Sequence, residues 1–147
     1  RSLHSTIRVN DTMEVYCASI EKAVESWKRI QSDLSYHITF GEALFGRIFE
    51  IAPSAAELFQ FADGGKKCEV VEDFKSSPKF HPHAKAVLKM LERALVMMLK
   101  HQVYDLGEEL TTLGMKHVVY GVTTTHFEVL EAAILDTLEK FLGDQWT

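Results

Sequence analysis

Apolar residues recur at three- and four-residue intervals along almost the whole chain, the spacing that an α-helix with one buried face requires. Proline, which breaks such helices, occurs only 3 times and near segment edges. Asp11 and Thr12 can cap a helix predicted to run toward residue 33, with Ile20, Val24, Trp27 and Ile30 on one face. A second helix follows Ser35; Ala43, Leu44, Ile48 and Ile51 make its apolar stripe beside Phe45 and Phe49. Pro53 then turns the chain, a short helical stretch covers residues 55–59, and residues 62–67 read as a loop. Ser77 and Pro78 combine a capping hydroxyl with a proline at the first helical position. They predict a third helix reaching about residue 99, with Ala84, Leu88, Leu91 and Leu95 on one face. Gly107 is a break. Leu110, Leu113 and His117 share one face of a shorter helix that Gly121 stops. Residues 123–125 can cap a last helix, in which Phe127, Leu130, Ile134, Leu138 and Phe141 recur. Residues 1–10 look irregular. With no strand pattern, repeat or low-complexity tract, the expected fold class is all-α.

The 147 residues suffice for one domain with a substantial core. A net charge of −5 argues against non-specific nucleic-acid binding, which needs a basic surface. The densest apolar run, residues 94–99, is far short of the roughly 20 residues that span a bilayer, so no membrane partner is expected. No secretory signal is visible at the start. Cys17 and Cys68 lack metal-ligand spacing; they read as two free thiols in a reducing compartment, with a disulfide between them left open. The expected location is cytoplasmic. No nucleotide loop, carboxylate pair or Cys/His nucleophile arrangement stands out.

Two histidines do stand out. His83 and His117 lie on different predicted helices, which a fold can bring face to face. On the residues alone, His117 reads equally as a surface histidine near a helix C-terminus, where the dipole favours a charged imidazole. His83 reads equally as an exposed polar residue in the first turns of its helix. His81, two residues earlier, points about 200° away around the helix from His83, toward solvent. Pro82 between them removes a backbone donor.

The combined pattern resembles the globin family, nearest to the neuroglobin-like and other non-muscle members. Trp27 matches the tryptophan of the family's first helix. Phe45, Pro53 and Phe59 match the distal-pocket aromatic, the interhelical proline and the haem-stacking phenylalanine. The segment Ser76-Ser77-Pro78-Lys79-Phe80-His81-Pro82-His83, with Val87 one turn later, is similar to the stretch that carries the distal histidine. Leu113 and His117 match the leucine and proximal histidine; Val122 and Phe127 match two further pocket-wall positions. The likeness covers roughly residues 20–147, with residues 1–19 as an N-terminal extension. It implies a haem b (iron protoporphyrin IX) with His117 as axial iron ligand and His83 as distal residue or second axial ligand. Phe45, Phe59, Val87, Leu113, Val122 and Phe127 would line the pocket, where apolar packing and haem contact coincide. Tyr120 would either reach a haem propionate or lie at the surface. Phe45 offers no hydrogen bond to an external ligand, as in globins whose distal histidine binds iron directly.

The resemblance implies reversible binding of dioxygen, carbon monoxide or nitric oxide. A haem-based gas or redox sensor domain of a longer protein stays open, as does turnover as a nitric oxide dioxygenase, nitrite reductase or weak peroxidase. The sequence stops where the family's long last helix would begin, so that helix is missing or supplied elsewhere. Residues 13–20 are faintly similar to it. A homodimer, or further domains of a longer chain, would cover the apolar surface left bare.

Overall fold

A computed structural model describes residues 9–59 and 71–146. The expected loop at 62–67, Cys68 and residues 1–8 lie outside them. Five helices carry the fold of the described residues: α1 (Val9–Gln31), α2 (Tyr36–Ile51), α3 (Phe80–Leu99), α4 (Gly107–Val119) and α5 (Thr124–Leu142). Short 3-10 turns cover Pro53–Leu58, Val71–Ser76, Val103–Leu106 and Gly143–Gln145. Among the described residues there is no strand, as the periodicity predicts.

Sequence signals account for most of the helix ends. The Asp33 carboxylate accepts hydrogen bonds from the Ser35 N–H, the Ser35 hydroxyl and the Thr39 hydroxyl. These bonds hold its pKa below the usual carboxylate value and turn the chain into α2. Pro53 sits at the first position of its 3-10 turn, where a missing N–H costs nothing. Thr123 precedes α5, and its N–H donates to His126 Nδ1 at 2.9 Å, so a histidine plays the part of the usual glutamate in a capping box. α3 begins at Phe80, two residues beyond the expected start. Ser77 still serves, accepting from the Lys79 N–H at 3.3 Å, but it closes a preliminary turn rather than the helix. α4 starts on Gly107 itself, after a 3-10 turn whose Leu106 is buried. α1 runs unbroken across positions 19 and 20. Its outer residues, including Met13 and Val15, stay exposed.

α2 is the central element and packs most extensively against α5 and α3, while α1 lies across α3. Phe40, Leu44, Phe45, Phe49, Phe80 and Leu88 form the fully buried centre. Trp27 of α1 meets Phe40 and Tyr36 edge-on, at 5.4 and 6.2 Å between ring centroids. Tyr36 donates its hydroxyl proton to Glu92, tying the start of α2 to the middle of α3. Gly41 makes the α2–α3 seam close: a Cβ added there would lie 3.2 Å from the Ala84 Cβ. Since Ala84 is fully buried and its Cβ is fixed to the helix backbone, the helices themselves would have to part.

α4 is different. None of its residues is buried, and Met115, Val118 and Val119 are 68%, 71% and 83% exposed. On α5, Phe127, Leu135 and Phe141 are also partly exposed. Arg93 Nε donates to Glu109 at 2.8 Å, a tie between α3 and α4.

Gly41→Leu should destabilise the chain by about 1–3 kcal/mol, the usual cost of overpacking; urea denaturation measures it, and an unchanged midpoint would show that the seam can open freely.

Candidate functional site

The candidate residues come from distant parts of the sequence and form two contact groups, one around His83 and one around His117. α2 supplies Phe45; the chain leaving the Pro53–Leu58 turn supplies Phe59; α3 supplies His83 and Val87. α4 supplies Leu113 and His117, and the chain beyond it supplies Val122 and, on α5, Phe127. His83 lies against two rings, 5.7 Å from the Phe45 centroid and 5.4 Å from that of Phe59. Phe45 and Phe59 meet each other edge-on at 5.5 Å, and Phe49 lies 5.6 Å from Phe59. This aromatic wall continues through Phe80 and Phe74 into the core. Phe59 and His83 are themselves half-buried, so the wall ends partly open to solvent.

His117 is half-buried near the C-terminal end of α4. Its Nδ1 lies 2.8 Å from the carbonyl of Leu113, four residues back on the same helix. A carbonyl only accepts, so Nδ1 carries the proton. That fixes the tautomer and leaves the Nε2 lone pair for an electrophile or metal. The ring also lies 5.8 Å from Phe127. The chain then turns sharply: the Val122 N–H bonds the His117 carbonyl at 3.0 Å, and Gly121 has φ of +86°, which favours glycine. Leu58 packs there, 3.6 Å from where a Gly121 Cβ would sit, joining the turn after α2 to the turn after α4.

The two imidazoles sense each other. Burial, and then the charge that His117 can carry, hold the His83 pKa below its usual 6.5. His83 is thus kept neutral, the state in which an imidazole can act as a ligand. The sequence-derived residues divide as follows. His83, Phe45 and Phe59 are in mutual ring contact, and His117 touches Leu113 and Phe127. Val87, Leu113 and Val122 are half-buried, whereas Phe127 is 47% and Tyr120 67% exposed. Tyr120 is a surface residue whose N–H caps α4. His81, expected to be solvated, instead pairs with Glu42 at 3.0 Å. Glu42 is absent from the sequence-derived set, although it lies three residues before Phe45 on the same face of α2.

The residues fit a haem. Two half-buried imidazoles come from α3 and α4, near enough for the charge of one to act on the other, and one has its Nδ1 proton committed to a carbonyl. Aromatic side chains wall the α2 side. Among the described residues there is no group of three or more His, Cys, Asp or Glu side chains that could hold a bare metal ion.

The sequence is similar to those of known proteins. The sequence model of the globin family matches residues 42–147. One anaerobic nitrite reductase of Gossypium hirsutum is 33% identical over 125 residues, covering 84% of this chain and 72% of that protein. Leghemoglobin-1 of Lupinus luteus is 32% identical over 103 residues, 70% of this chain and 64% of its own length. A second anaerobic nitrite reductase of Gossypium hirsutum is 34% identical over 122 residues, 82% of this chain and 72% of its own length.

Because His83 has a depressed pKa in the fold, the unfolded chain binds more protons at this position. Without haem, stability should therefore fall as pH drops through about 6.5 and below. His37 is shifted the same way by burial and Lys89, against Glu92, so His83→Gln should flatten this slope without abolishing it. Urea midpoints between about pH 7 and pH 5 measure the difference; an unaltered slope in His83→Gln would refute the assignment.

Proposed function

The chain belongs to the globin family, and on that premise we propose that it holds a haem b between His117 and His83 and binds diatomic gases reversibly. The observation that supports this most is the pair of half-buried imidazoles on α3 and α4, with Nδ1 of His117 committed to the Leu113 carbonyl. In this reading His117 Nε2 is the axial donor, and the Leu113 carbonyl keeps the ring oriented and raises its basicity. Phe45, Phe59, Val87, Leu113, Val122 and Phe127 supply apolar contact and keep water from the iron. Tyr120, the most exposed of the set, would lie on the solvent side with a propionate. Haem supplies the affinity for dioxygen, carbon monoxide and nitric oxide.

His83 is assigned the second axial position when no external ligand is present. Burial keeps it neutral, and Phe45 beside it offers no competing hydrogen bond. An external ligand must displace it, which lowers apparent affinity by the fraction of open sites. No helix of the described residues is long and apolar enough to cross a membrane. Cys17 is a free thiol, and a cytoplasmic setting is part of the same proposal.

A second reading rests on two relatives named as anaerobic nitrite reductases: reduction of nitrite to nitric oxide by the ferrous protein, with electrons from an external donor. Nitric oxide release from nitrite under anaerobic, reducing conditions supports it. Stoichiometric gas binding without turnover opposes it.

Absorption spectra of the haem-loaded chain, ferric and ferrous, with and without carbon monoxide, test the main proposal. Sharp, split ferrous bands are expected, replaced by one broad band in His83→Leu. His117→Ala should weaken haem retention about 100-fold or more, beyond the cost of losing an outer contact. A chain that takes up no haem would overturn the reading.

A further inference from the structure

The first turn of α3 is held against α2 at four points. Phe80 is fully buried, with its ring 5.3 Å from Phe45. His83 lies edge-on to the same Phe45, and Ala84 faces the bare backbone of Gly41. The fourth point is polar. His81 Nε2–H donates to Glu42 Oε1 at 3.0 Å, and Lys75 Nζ lies 3.6 Å from the other oxygen of that carboxylate. Glu42 and Phe45 share a face of α2, while His81 and His83 point to opposite sides of α3. Two neighbouring side chains of α2 therefore grip both sides of the turn that carries His83. The first bond of the α3 ladder, from the His83 N–H to the Lys79 carbonyl, is long at 3.4 Å, so the lateral contacts help to hold the turn in place.

We propose that Glu42 is a positioning residue: by holding His81 and Lys75 it pins the first turn of α3 and limits how fast His83 can leave the sixth position on the iron. The same contact keeps His81, the neighbouring imidazole, turned away from His83. The consequence for His83 rests on the haem reading above; the tether itself does not. Side-chain exposures of 27% for Glu42 and 40% for His81 leave the pair partly open to water, so a moderate, measurable effect is expected.

Two measurements on Glu42→Ala, Glu42→Gln and His81→Ala test this. The first is hydrogen exchange of the amides of residues 83–85, in the haem-loaded chain and in the chain without haem. The second is carbon monoxide binding to the ferrous protein at saturating gas, where the release of a coordinated histidine limits the rate. Glu42→Ala should speed both by about threefold to fivefold, the scale of ion pairs partly open to water. Glu42→Gln keeps an acceptor for His81 and should restore most of the wild-type rate. His81→Ala should match Glu42→Ala, and the double variant should add little. Unchanged exchange in Glu42→Ala would overturn the tether while leaving the haem reading intact. Faster exchange with an unchanged limiting rate would overturn the control over His83. Failure of the haem reading shows separately, as a wild-type chain that takes up no haem; a haem-loaded wild type without split ferrous bands would remove the proposed control over His83.

Discussion

The close approach of α2 to α3 at Gly41 and Ala84 is the contact on which the rest of the architecture depends. Without a side chain at Gly41, the two helices meet nearly backbone to backbone. Phe45 can then reach both Phe80 and His83. Wider spacing would separate those rings, and the aromatic wall would no longer run from the core out to Phe59. Core packing and the surroundings of His83 are one continuous set of contacts here. A substitution that loosens the core therefore also moves His83.

The two histidines are prepared by different physical means. His83 is kept neutral by its surroundings, first by burial and then by its counterpart. His117 is prepared by its own helix, through a carbonyl one turn back. The first mechanism depends on tertiary structure and fails if the α2–α3 seam opens. The second survives as long as four residues of α4 remain helical. One imidazole is thus fixed by local structure and the other is conditional on the tertiary fold.

Much of this is legible in the sequence because helical spacing and apolar period coincide over long stretches. The stripe of Leu44 and Ile48 beside Phe45 and Phe49 locates α2 and its buried face, and Leu113 with His117 locates α4. The start of α3 falls two residues beyond the expected one because Ser77 and Pro78 fit a helix start and a preceding turn equally well. Only the Lys79 N–H, bonded to the Ser77 hydroxyl, separates the two. Glu42 is not legible because an acid on a helix is usually solvated, and its partners His81 and Lys75 are 39 and 33 positions away in the chain. Long-range pairs of this kind leave no periodic trace.

The bareness of α4 has a consequence for how the molecule comes apart. Opening free energy in a protein is distributed according to buried contact, and elements with little of it open first. The α1–α2–α3–α5 core holds the fully buried phenylalanines, whereas α4 contributes no buried residue of its own and is joined to its neighbours by Leu106, the Arg93–Glu109 pair and the Gly121 turn. Sub-global unfolding should thus release α4 as a unit while the remaining helices stay assembled. The boundary between these cooperative units runs between the two histidines, with His83 on the durable side and His117 on the side that opens.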